Sequence, residues 1–368
     1  MATARELYEE RLNRIKTAVA LGKPDRVPVV PLGNAVFAKY MNVKLSRFCT
    51  EPMLANETIL RAVAQLGDVD GIQQTTYNVY SLCLLWLSDV KIPGRDLPDD
   101  DLWQVNEQEL MKEEDYDVII NKGYGYFLND YFTNRLGNVQ EKVRPFLESI
   151  PQTIRATEEQ GLVPLSPGVL TIPYENFCGG RSLSVFLRDL YRLPDKVRAA
   201  MDVAMAEIIN DAKALCQNLK PIAVWVGGWR SASEFLSPRL WQKFVFPYYK
   251  QLVEAVTDEG VIAILHFDSN WTRDLEYLRA FPKGKCVLAL DGATDIFKAK
   301  EILGDHMCIM GDVPASMFAL GTPDDVYSYC RKLIDNIGPA GFILSSGCDI
   351  PTTAKLENVK AMIESAKG

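Results

Sequence analysis

The chain has 368 residues, and its 40 lysines and arginines against 48 aspartates and glutamates give a formal net charge of −8. This acidic balance argues against a nucleic-acid-binding protein, which would carry clustered excess lysine and arginine. The longest apolar stretch, around 79–87, is too short to cross a bilayer, and the charged amino-terminal segment lacks the apolar core of a secretory signal. The eight cysteines are scattered without a CxxC pair. We therefore expect a cytoplasmic protein with reduced thiols and with neither nucleic acid nor membrane as a partner.

Short β-rich runs recur along the chain, and each is followed by a helical or irregular segment. The predicted strands are 27–32, 71–76, 162–168, 222–228, 261–268, 286–292, 307–314 and 341–350. Several are apolar without alternation, as expected of strands covered on both faces. This rhythm predicts an α/β fold, namely a (β/α)8 TIM barrel.

Helical patterns fill the segments between these strands. The predicted helices are 52–66, 183–218 as one or two helices, 238–259, 272–280, 293–303, 323–337 and 356–366. Two of them begin with a capping residue followed by proline, at Ser237 and at Thr322. Such pairs are typical of helix amino termini.

The segment 77–150 is too long for an ordinary connection between a strand and a helix. It contains the acidic, turn-rich run IPGRDLPDDD and the aromatic run GYGYFLNDYF. We expect residues 1–368 to form a single barrel domain, in which 77–150 is an insertion after the second strand. It is predicted to lie over the barrel mouth and to shape a substrate cavity. A surface excursion unrelated to chemistry is the alternative.

Three potential metal ligands lie at predicted strand ends, where barrel enzymes carry their active sites. His266 and Asp268 close one strand and share a face by its two-residue repeat, and Cys348 closes the last strand. Imidazole, carboxylate and thiolate together predict a three-ligand zinc site with an open position for substrate or water. Alternatively, His266 is a hydrogen-bonding residue, Asp268 a helix cap and Cys348 a small buried hydrophobe.

Other strand-end residues are candidates for supporting roles. Glu234 is predicted to supply a fourth zinc ligand or a proton, and Arg230 to anchor a substrate anion. Asp312 is a catalytic candidate and Asp291 a substrate-binding candidate, since both follow a strand. Ion pairs, turns and caps are the alternative roles. Cys308 and water are further candidates for the fourth ligand, although the deeper position of Cys308 in its strand favours the core.

The predicted substrate-binding wall consists of side chains near strand ends or in the insertion: Tyr77, Asn78, Tyr124, Tyr126, Phe127, Trp229 and Phe267. Aromatic side chains in these places favour an aromatic substrate. Core contacts are the alternative role for each of them.

Several stretches of the chain resemble a known family. They are GKPDRVPVVPL, SPRLWQKFVFPYYKQLVEAVTDEGVIAILHFDSN, MGDVPASMFALGTPDDV and GFILSSGCDIPTTAKLENVKAMI. They resemble the uroporphyrinogen decarboxylase superfamily, and most closely its corrinoid-dependent methyltransferase branch. The resemblance covers most of the chain outside 77–150. It implies a single (β/α)8 barrel with its site at the carboxyl ends of the strands.

Two departures from the family patterns bear on function. Uroporphyrinogen decarboxylases carry an arginine-rich motif near the amino terminus, whereas the corresponding stretch 28–43 has no arginine. Family members that methylate a thiol coenzyme hold zinc with a His-x-Cys pair and a late Gly-Cys cysteine. The resemblance implies His266 and Cys348 for these positions, with Asp268 in place of the first cysteine.

A carboxylate donates less electron density than a thiolate, so the exchange at Asp268 favours a more Lewis-acidic metal. The resemblance implies a corrinoid-dependent methyltransferase, and with this exchange we expect it to move a methyl group from a small methoxylated, aromatic substrate to the reduced cobalt of a corrinoid. The corrinoid is expected on a separate partner protein. Methyl transfer from a corrinoid protein to a thiol coenzyme, porphyrinogen decarboxylation without metal, and a non-catalytic binding protein are the alternatives. The sequence leaves a homodimer open.

Overall fold

Parallel strands form the centre of the fold in the computed structural model, which describes residues 2–367. The strands are β1 (Gly71–Ile72), β2 (Asp89–Lys91), β3 (Gln104–Asn106), β4 (Val163–Pro164), β5 (Gly168–Leu170), β6 (Ala223–Gly228), β7 (Ile262–Phe267), β8 (Cys286–Leu290), β9 (Cys308–Val313) and β10 (Phe342–Ser346). Strands β5 to β10 pair in chain order in one parallel sheet, and β1 pairs with β4 in parallel. The small hairpin β2–β3 is antiparallel.

Backbone hydrogen bonds close these strands into a barrel. They run between the donor and acceptor pairs Val30–Leu344, Asp70–Val29, Val163–Asp70 and Ala223–Leu165. The segment 27–32 thereby joins the last strand to β1, and β4 joins β1 to β6. The predicted (β/α)8 barrel is confirmed.

Two predicted strands are less regular than expected because prolines interrupt them. In 27–32, Val29 forms an isolated bridge with Leu344 in place of a continuous ladder. Two prolines in that segment lack the N–H group that a ladder needs. The predicted strand 162–168 also contains two prolines, and it divides into β4 and the start of β5.

Helices surround the barrel. They are α1 (Ala4–Val19), α2 (Ala35–Tyr40), α3 (Leu45–Phe48), α4 (Pro52–Leu66), α5 (Ser81–Trp86), α6 (Glu114–Lys122), α7 (Tyr124–Asp130), α8 (Val139–Glu159), α9 (Pro173–Arg181), α10 (Leu183–Arg192), α11 (Pro194–Leu219), α12 (Pro238–Phe244), α13 (Phe246–Asp258), α14 (Ile296–Leu303), α15 (Ala315–Leu320), α16 (Pro323–Asn336) and α17 (Leu356–Ser365). Helix α4 has the predicted bounds, and Thr322 caps α16 as predicted. Among the described residues, no helix is long and apolar enough to cross a membrane.

The segment 77–150 is largely helical. It contains α5, the β2–β3 hairpin, α6, α7, a π-helical turn at Tyr131–Arg135 and the first part of α8. Helix α8 continues to Glu159, so the expected end of the insertion at 150 falls inside a helix.

Two hydrophobic clusters fill the two sides of the barrel wall. The inner cluster includes Trp225 of β6 and Ile264 of β7, whereas the outer cluster, between strands and helices, includes Leu265 and Phe267. Successive side chains of β7 therefore alternate between the barrel interior and the helical layer, as the strand repeat requires. This alternation decides which residues of β7 reach the barrel mouth.

Candidate metal centre

Strand β7 places His266 inside the barrel, because Ile264, two residues earlier, belongs to the inner cluster. The side chain of His266 is 2% exposed. Asp268 follows on the same face just beyond the end of β7. Cys348 lies two residues beyond the end of β10 and comes to the same point.

The three side chains converge on one another. The ligand atoms of His266, Asp268 and Cys348 all lie within 4.8 Å of each other. Nε2 of His266 is 3.2 Å from Oδ1 of Asp268. A tetrahedral zinc ion sets its N, O and S ligands roughly 3.3–3.8 Å apart. The three ligand atoms therefore already lie near the spacing that a zinc ligand set requires.

The imidazole of His266 lacks hydrogen-bond partners that suit its burial. Neither Nδ1 nor Nε2 makes a well-aligned hydrogen bond, although Asp268 is close to Nε2. An unpaired buried polar atom is costly. Burial lowers the pKa of His266, but the acceptor groups of Asp268 and Cys348 outweigh burial and raise that pKa to about 10. The surroundings of His266 thus favour a positive charge at this point, and the donor set fits zinc.

Burial raises the pKa of the Cys348 thiol, while His266 opposes that effect. The neighbouring carboxylate of Asp349 accepts hydrogen bonds from the backbone N and from Nδ2 of Asn34, at 2.9 and 3.2 Å. Burial raises the pKa of Asp349 to about 6, although the Asn34 hydrogen bonds lower it. Asn34 and Asp349 therefore form a polar edge beside the three converging side chains.

A cavity of about 330 Å³ extends from the three side chains. Its aromatic lining consists of Tyr77, Trp86, Trp103, Phe146, Trp225 and Trp229. Helices α5 and α8 supply a largely aliphatic wall, which includes Leu82, Leu84, Leu85, Val143, Leu147 and Ile150. A cavity of this size and composition suits a small, flat, apolar ligand.

Close contact between α5 and α9 fixes the position of Trp86. A Cβ atom at Gly179 of α9 would lie 1.8 Å from the carbonyl oxygen of Trp86, so only glycine fits there. Oγ of Ser88 donates to the same oxygen and to the carbonyl oxygen of Gly179. The Gly-Gly-Arg run that contains Gly179 is thus part of a buried helix.

Three predicted substrate-binding residues line this cavity, namely Tyr77, Asn78 and Trp229. The ring of Tyr77 stacks on Trp103 with the ring centroids 4.5 Å apart. Trp229 meets Trp86 edge-on with the centroids 5.0 Å apart. The structure therefore brings these residues together with His266, Asp268 and Cys348.

Three other predicted residues point away from the cavity. Phe267 faces the helical layer and stacks on Trp271 with the ring centroids 4.0 Å apart, because it alternates with His266. Oδ1 of Asp312 accepts a hydrogen bond from the Tyr329 hydroxyl of α16, on the outside of the barrel. Asp291 caps a turn by accepting from backbone N–H groups of the residues 269 and 293. The structure therefore does not support the predicted substrate-binding roles of Phe267 and Asp291 or the predicted catalytic role of Asp312.

Glu234 and Arg230 are also placed outside the cavity lining. Glu234 is exposed and accepts a hydrogen bond from the backbone N of Asn270. The guanidinium of Arg230 lies 3.7 Å from Glu107 and over the ring of Trp86, 5.9 Å from its centroid. The structure therefore favours structural roles for both side chains over the predicted catalytic ones.

Cys308 lies too deep in the barrel to act as a fourth ligand. It pairs with Val287, and Val287 pairs with Ile264, so Cys308 lies one layer below His266. It is buried in the inner cluster, and burial raises the pKa of its thiol. The core position that the sequence favoured for Cys308 is the one observed.

The insertion aromatics Tyr124 and Phe127 do not line the cavity either. They pack in the core around α9, where Tyr124 contacts Phe177, and Tyr126 is 57% exposed. Two cavity-lining residues that the sequence did not single out are Trp86, the last residue of α5, and Trp103, which lies just before β3 within the β2–β3 hairpin. Their only sequence signal is isolated aromatic character beside an acidic, turn-rich segment.

Comparisons with known proteins place the chain among related sequences. The sequence profile of the family described as uroporphyrinogen decarboxylase (URO-D) matches residues 132–368. A uroporphyrinogen decarboxylase from Syntrophotalea carbinolica is 28% identical over 225 residues, which are 58% of this chain and 62% of that protein. The methylcobamide:CoM methyltransferase MtbA from Methanosarcina mazei is 28% identical over 181 residues, which are 49% of this chain and 51% of that protein. The aligned part thus spans between half and two thirds of these relatives.

The fold also matches a solved structure described as a methyltransferase from Methanosarcina mazei. The TM-score is 0.74, and the match covers 97% of this chain and 98% of that chain. At 17% sequence identity this likeness concerns the fold. It agrees with the barrel described above.

Proposed function

Because the chain belongs to the uroporphyrinogen decarboxylase family, we propose that it is a zinc-dependent methyltransferase of that family. It moves a methyl group from a small methoxylated, aromatic substrate to the reduced cobalt of a corrinoid carried by a separate partner protein. The observation that carries the proposal is the convergence of His266, Asp268 and Cys348 at one end of an aromatic cavity. The relatives named as methylcobamide:CoM methyltransferases support the reaction class.

His266, Asp268 and Cys348 would hold the zinc ion, which supplies Lewis acidity that polarises the ether oxygen of the substrate. The carboxylate of Asp268 contributes less electron density than a second cysteine would, which suits an oxygen ligand better than a thiolate. The side chains of Trp86, Trp103 and Tyr77 present flat faces on which an aromatic ring can stack. Their apolar surroundings exclude water from the reacting ether.

Two enzymatic alternatives receive less support. Methyl transfer to a thiol coenzyme would be better served by a cysteine at position 268 than by Asp268. Porphyrinogen decarboxylation requires groups that bind several carboxylates, and the stretch 28–43 has no arginine. The relatives named uroporphyrinogen decarboxylases share the family, and the side chains around the cavity favour the methyltransferase.

We further propose that the chain acts as a single barrel domain, with the insertion 77–150 over its mouth. Helices α5 and α8 contribute to the cavity wall, which supports this role for the insertion. The partner must bring its corrinoid to the same mouth, so the insertion 77–150 has to open or move. A cytoplasmic location agrees with the proposed partner, and a homodimer remains compatible with this arrangement.

The test is to purify the protein, measure bound zinc and assay methyl transfer from 1,2-dimethoxybenzene to a reduced corrinoid protein. His266→Ala and Cys348→Ala are expected to lose both zinc and transfer. The matched control is Cys308→Ala, since Cys308 is a buried cysteine outside the convergent set.

Absence of both zinc and transfer across a panel of methoxyarenes would reject the proposal. Porphyrinogen decarboxylation that survives chelation would establish the decarboxylase instead. Unchanged ligand and partner binding by both alanine variants, without turnover by the parent, would indicate a binding protein.

A further inference from the structure

We propose that the cavity selects methoxyarenes without a charged ring substituent, and that it rejects those with a carboxylate. This inference rests on the proposed function and specifies its substrate class. It follows from the distribution of charge around the cavity. That distribution is a separate observation from the convergence of the proposed metal ligands.

No lysine or arginine is found among the described residues that line the cavity. The ionisable side chains that line it, apart from Tyr77, are His266, Asp268, Cys348 and Asp349. A divalent cation held by His266, Asp268 and Cys348 is balanced by the carboxylate and the thiolate. The loaded site therefore offers little positive charge to a substrate anion.

The polar lining is concentrated at the strand ends. It includes Asn34, Gln74, Thr75, Thr76, Asn78 and Asp349. The wall supplied by α5 and α8 is apolar except for Ser81. A methoxy group directed at the metal centre places the remainder of the ring against this apolar wall. A carboxylate on the ring would lose its hydration there without gaining a partner.

Two cationic side chains that adjoin cavity-lining residues in the chain are engaged in other contacts. The guanidinium of Arg230 lies 3.7 Å from Glu107 and on the ring of Trp86. Lys142, which precedes the cavity-lining Val143, has its ammonium over the ring of Tyr80 at 5.3 Å from the centroid. Neither side chain lines the cavity. Pairing an anionic substrate with either of these two cations would therefore require that cation to leave its present contact.

The test compares three ligands of similar shape by calorimetric titration of the zinc-loaded protein. They are 3,4-dimethoxybenzyl alcohol, 3,4-dimethoxybenzoate and protonated 3,4-dimethoxybenzylamine. We expect the alcohol to bind about 100-fold more tightly than the benzoate. Benzoate binding within about threefold of the alcohol would overturn the selectivity and leave the proposed function standing. Tighter binding of the amine than of the alcohol would also overturn it, in favour of a cationic substrate. Absence of binding by all three would reject both the inference and the proposed function.

Leu147 offers a way to supply the missing charge. Its side chain lines the cavity and is 54% exposed, so a longer polar side chain can be accommodated. We expect Leu147→Lys to bind the benzoate at least about tenfold more tightly than the matched variant Leu147→Gln. Equal benzoate affinities in these two variants would show that the lack of a cation is not the cause, and would overturn the inference.

Discussion

The imidazole of His266 stacks on the indole of Trp225, with the ring centroids 4.6 Å apart and the ring planes inclined by 23°. The two residues lie on the adjacent strands β7 and β6, and the register partner of His266 is Gly227. A Cβ atom at Gly227 would lie 2.3 Å from the Trp229 ring and 2.8 Å from the Trp225 ring, so the glycine leaves room for both indoles. The stack holds the imidazole plane where Asp268 and Cys348 can share a ligand with it.

Removal of this stack is predicted to weaken zinc binding. Trp225→Leu frees the imidazole to rotate, so we expect zinc affinity to fall roughly 10- to 100-fold, as for other residues that orient metal ligands. Trp225→Phe keeps a ring against His266 and is expected to restore most of the affinity. Competition with a chromophoric chelator measures both. Equal losses in the two variants would indicate a general packing defect, and unchanged affinity in Trp225→Leu would contradict the orienting role.

Exchange of the unusual ligand tests the chemical argument about Asp268. Asp268→Cys adds a thiolate, for which zinc has high affinity, and makes the metal less Lewis-acidic. We expect zinc to bind more tightly and methyl transfer from 1,2-dimethoxybenzene to slow by about tenfold or more. Zinc titration and single-turnover kinetics provide the two readouts. A variant with undiminished transfer would show that the carboxylate is not needed for ether activation.

The convergence of His266, Asp268 and Cys348 was predictable from the sequence because it depends on strand ends. The apolar run before His266 identifies a strand, its two-residue repeat puts Asp268 on the same face, and barrel closure brings Cys348 close. Phe267 was assigned to the substrate wall against that same repeat, and the structure places it among the helices. Whether a side chain at the end of β7 faces the cavity is therefore determined by the two-residue strand repeat, and closeness to the barrel mouth is not sufficient.

The cavity wall was less predictable because it depends on contacts between distant helices. Trp86 reaches the cavity through the close approach of α5 to Gly179, ninety-odd residues later in the chain. No local pattern encodes that contact. The aromatic run with Tyr124 and Phe127 was the stronger sequence signal, yet Tyr124 contacts Phe177 of α9 and Phe127 contacts Tyr131, away from the cavity. Aromatic residues of the insertion are thus easy to find in the sequence, but the sequence does not show which of them line the cavity.

Glu175 is predicted to position the loop after β6. Its buried carboxylate accepts hydrogen bonds from the backbone N–H groups of Trp229, Arg230 and Ser231, at 2.8, 3.1 and 2.9 Å. Glu175→Gln replaces one acceptor oxygen with an NH2 group that faces these donors. We expect the free energy of unfolding to fall by about 1.5–3 kcal/mol and binding of 1,2-dimethoxybenzene to weaken, because Trp229 lines the cavity.

Chemical denaturation and ligand titration measure these two effects of Glu175→Gln. The matched control is Glu107→Gln, because Glu107 is the partly exposed ion-pair partner of Arg230. We expect this variant to change the free energy of unfolding by no more than about 0.5 kcal/mol. A loss of stability without a loss of ligand affinity would limit Glu175 to a structural role.

Asp312 is predicted to make stability depend on pH. Burial raises the pKa of its carboxyl to about 7, although the Tyr329 hydrogen bond lowers it, and the nearby Asp291 and Asp295 raise it further. The folded state therefore holds a proton that the unfolded state releases near pH 4. Between about pH 4 and 7 the folded state binds more protons, so the free energy of unfolding falls as pH rises through this window.

The variant Asp312→Asn removes that proton while its side-chain oxygen can still accept from Tyr329. At pH 8 the wild-type carboxylate is charged and buried, so we expect the variant to be more stable by roughly 2–4 kcal/mol. Below about pH 3 the carboxyl is neutral in both states, so the difference should shrink toward zero as the pH falls toward that value. Urea denaturation at pH 4, 6 and 8 measures the trend. A difference that is independent of pH would show that Asp312 does not titrate in this range, since the loss of a charge alone predicts convergence at low pH.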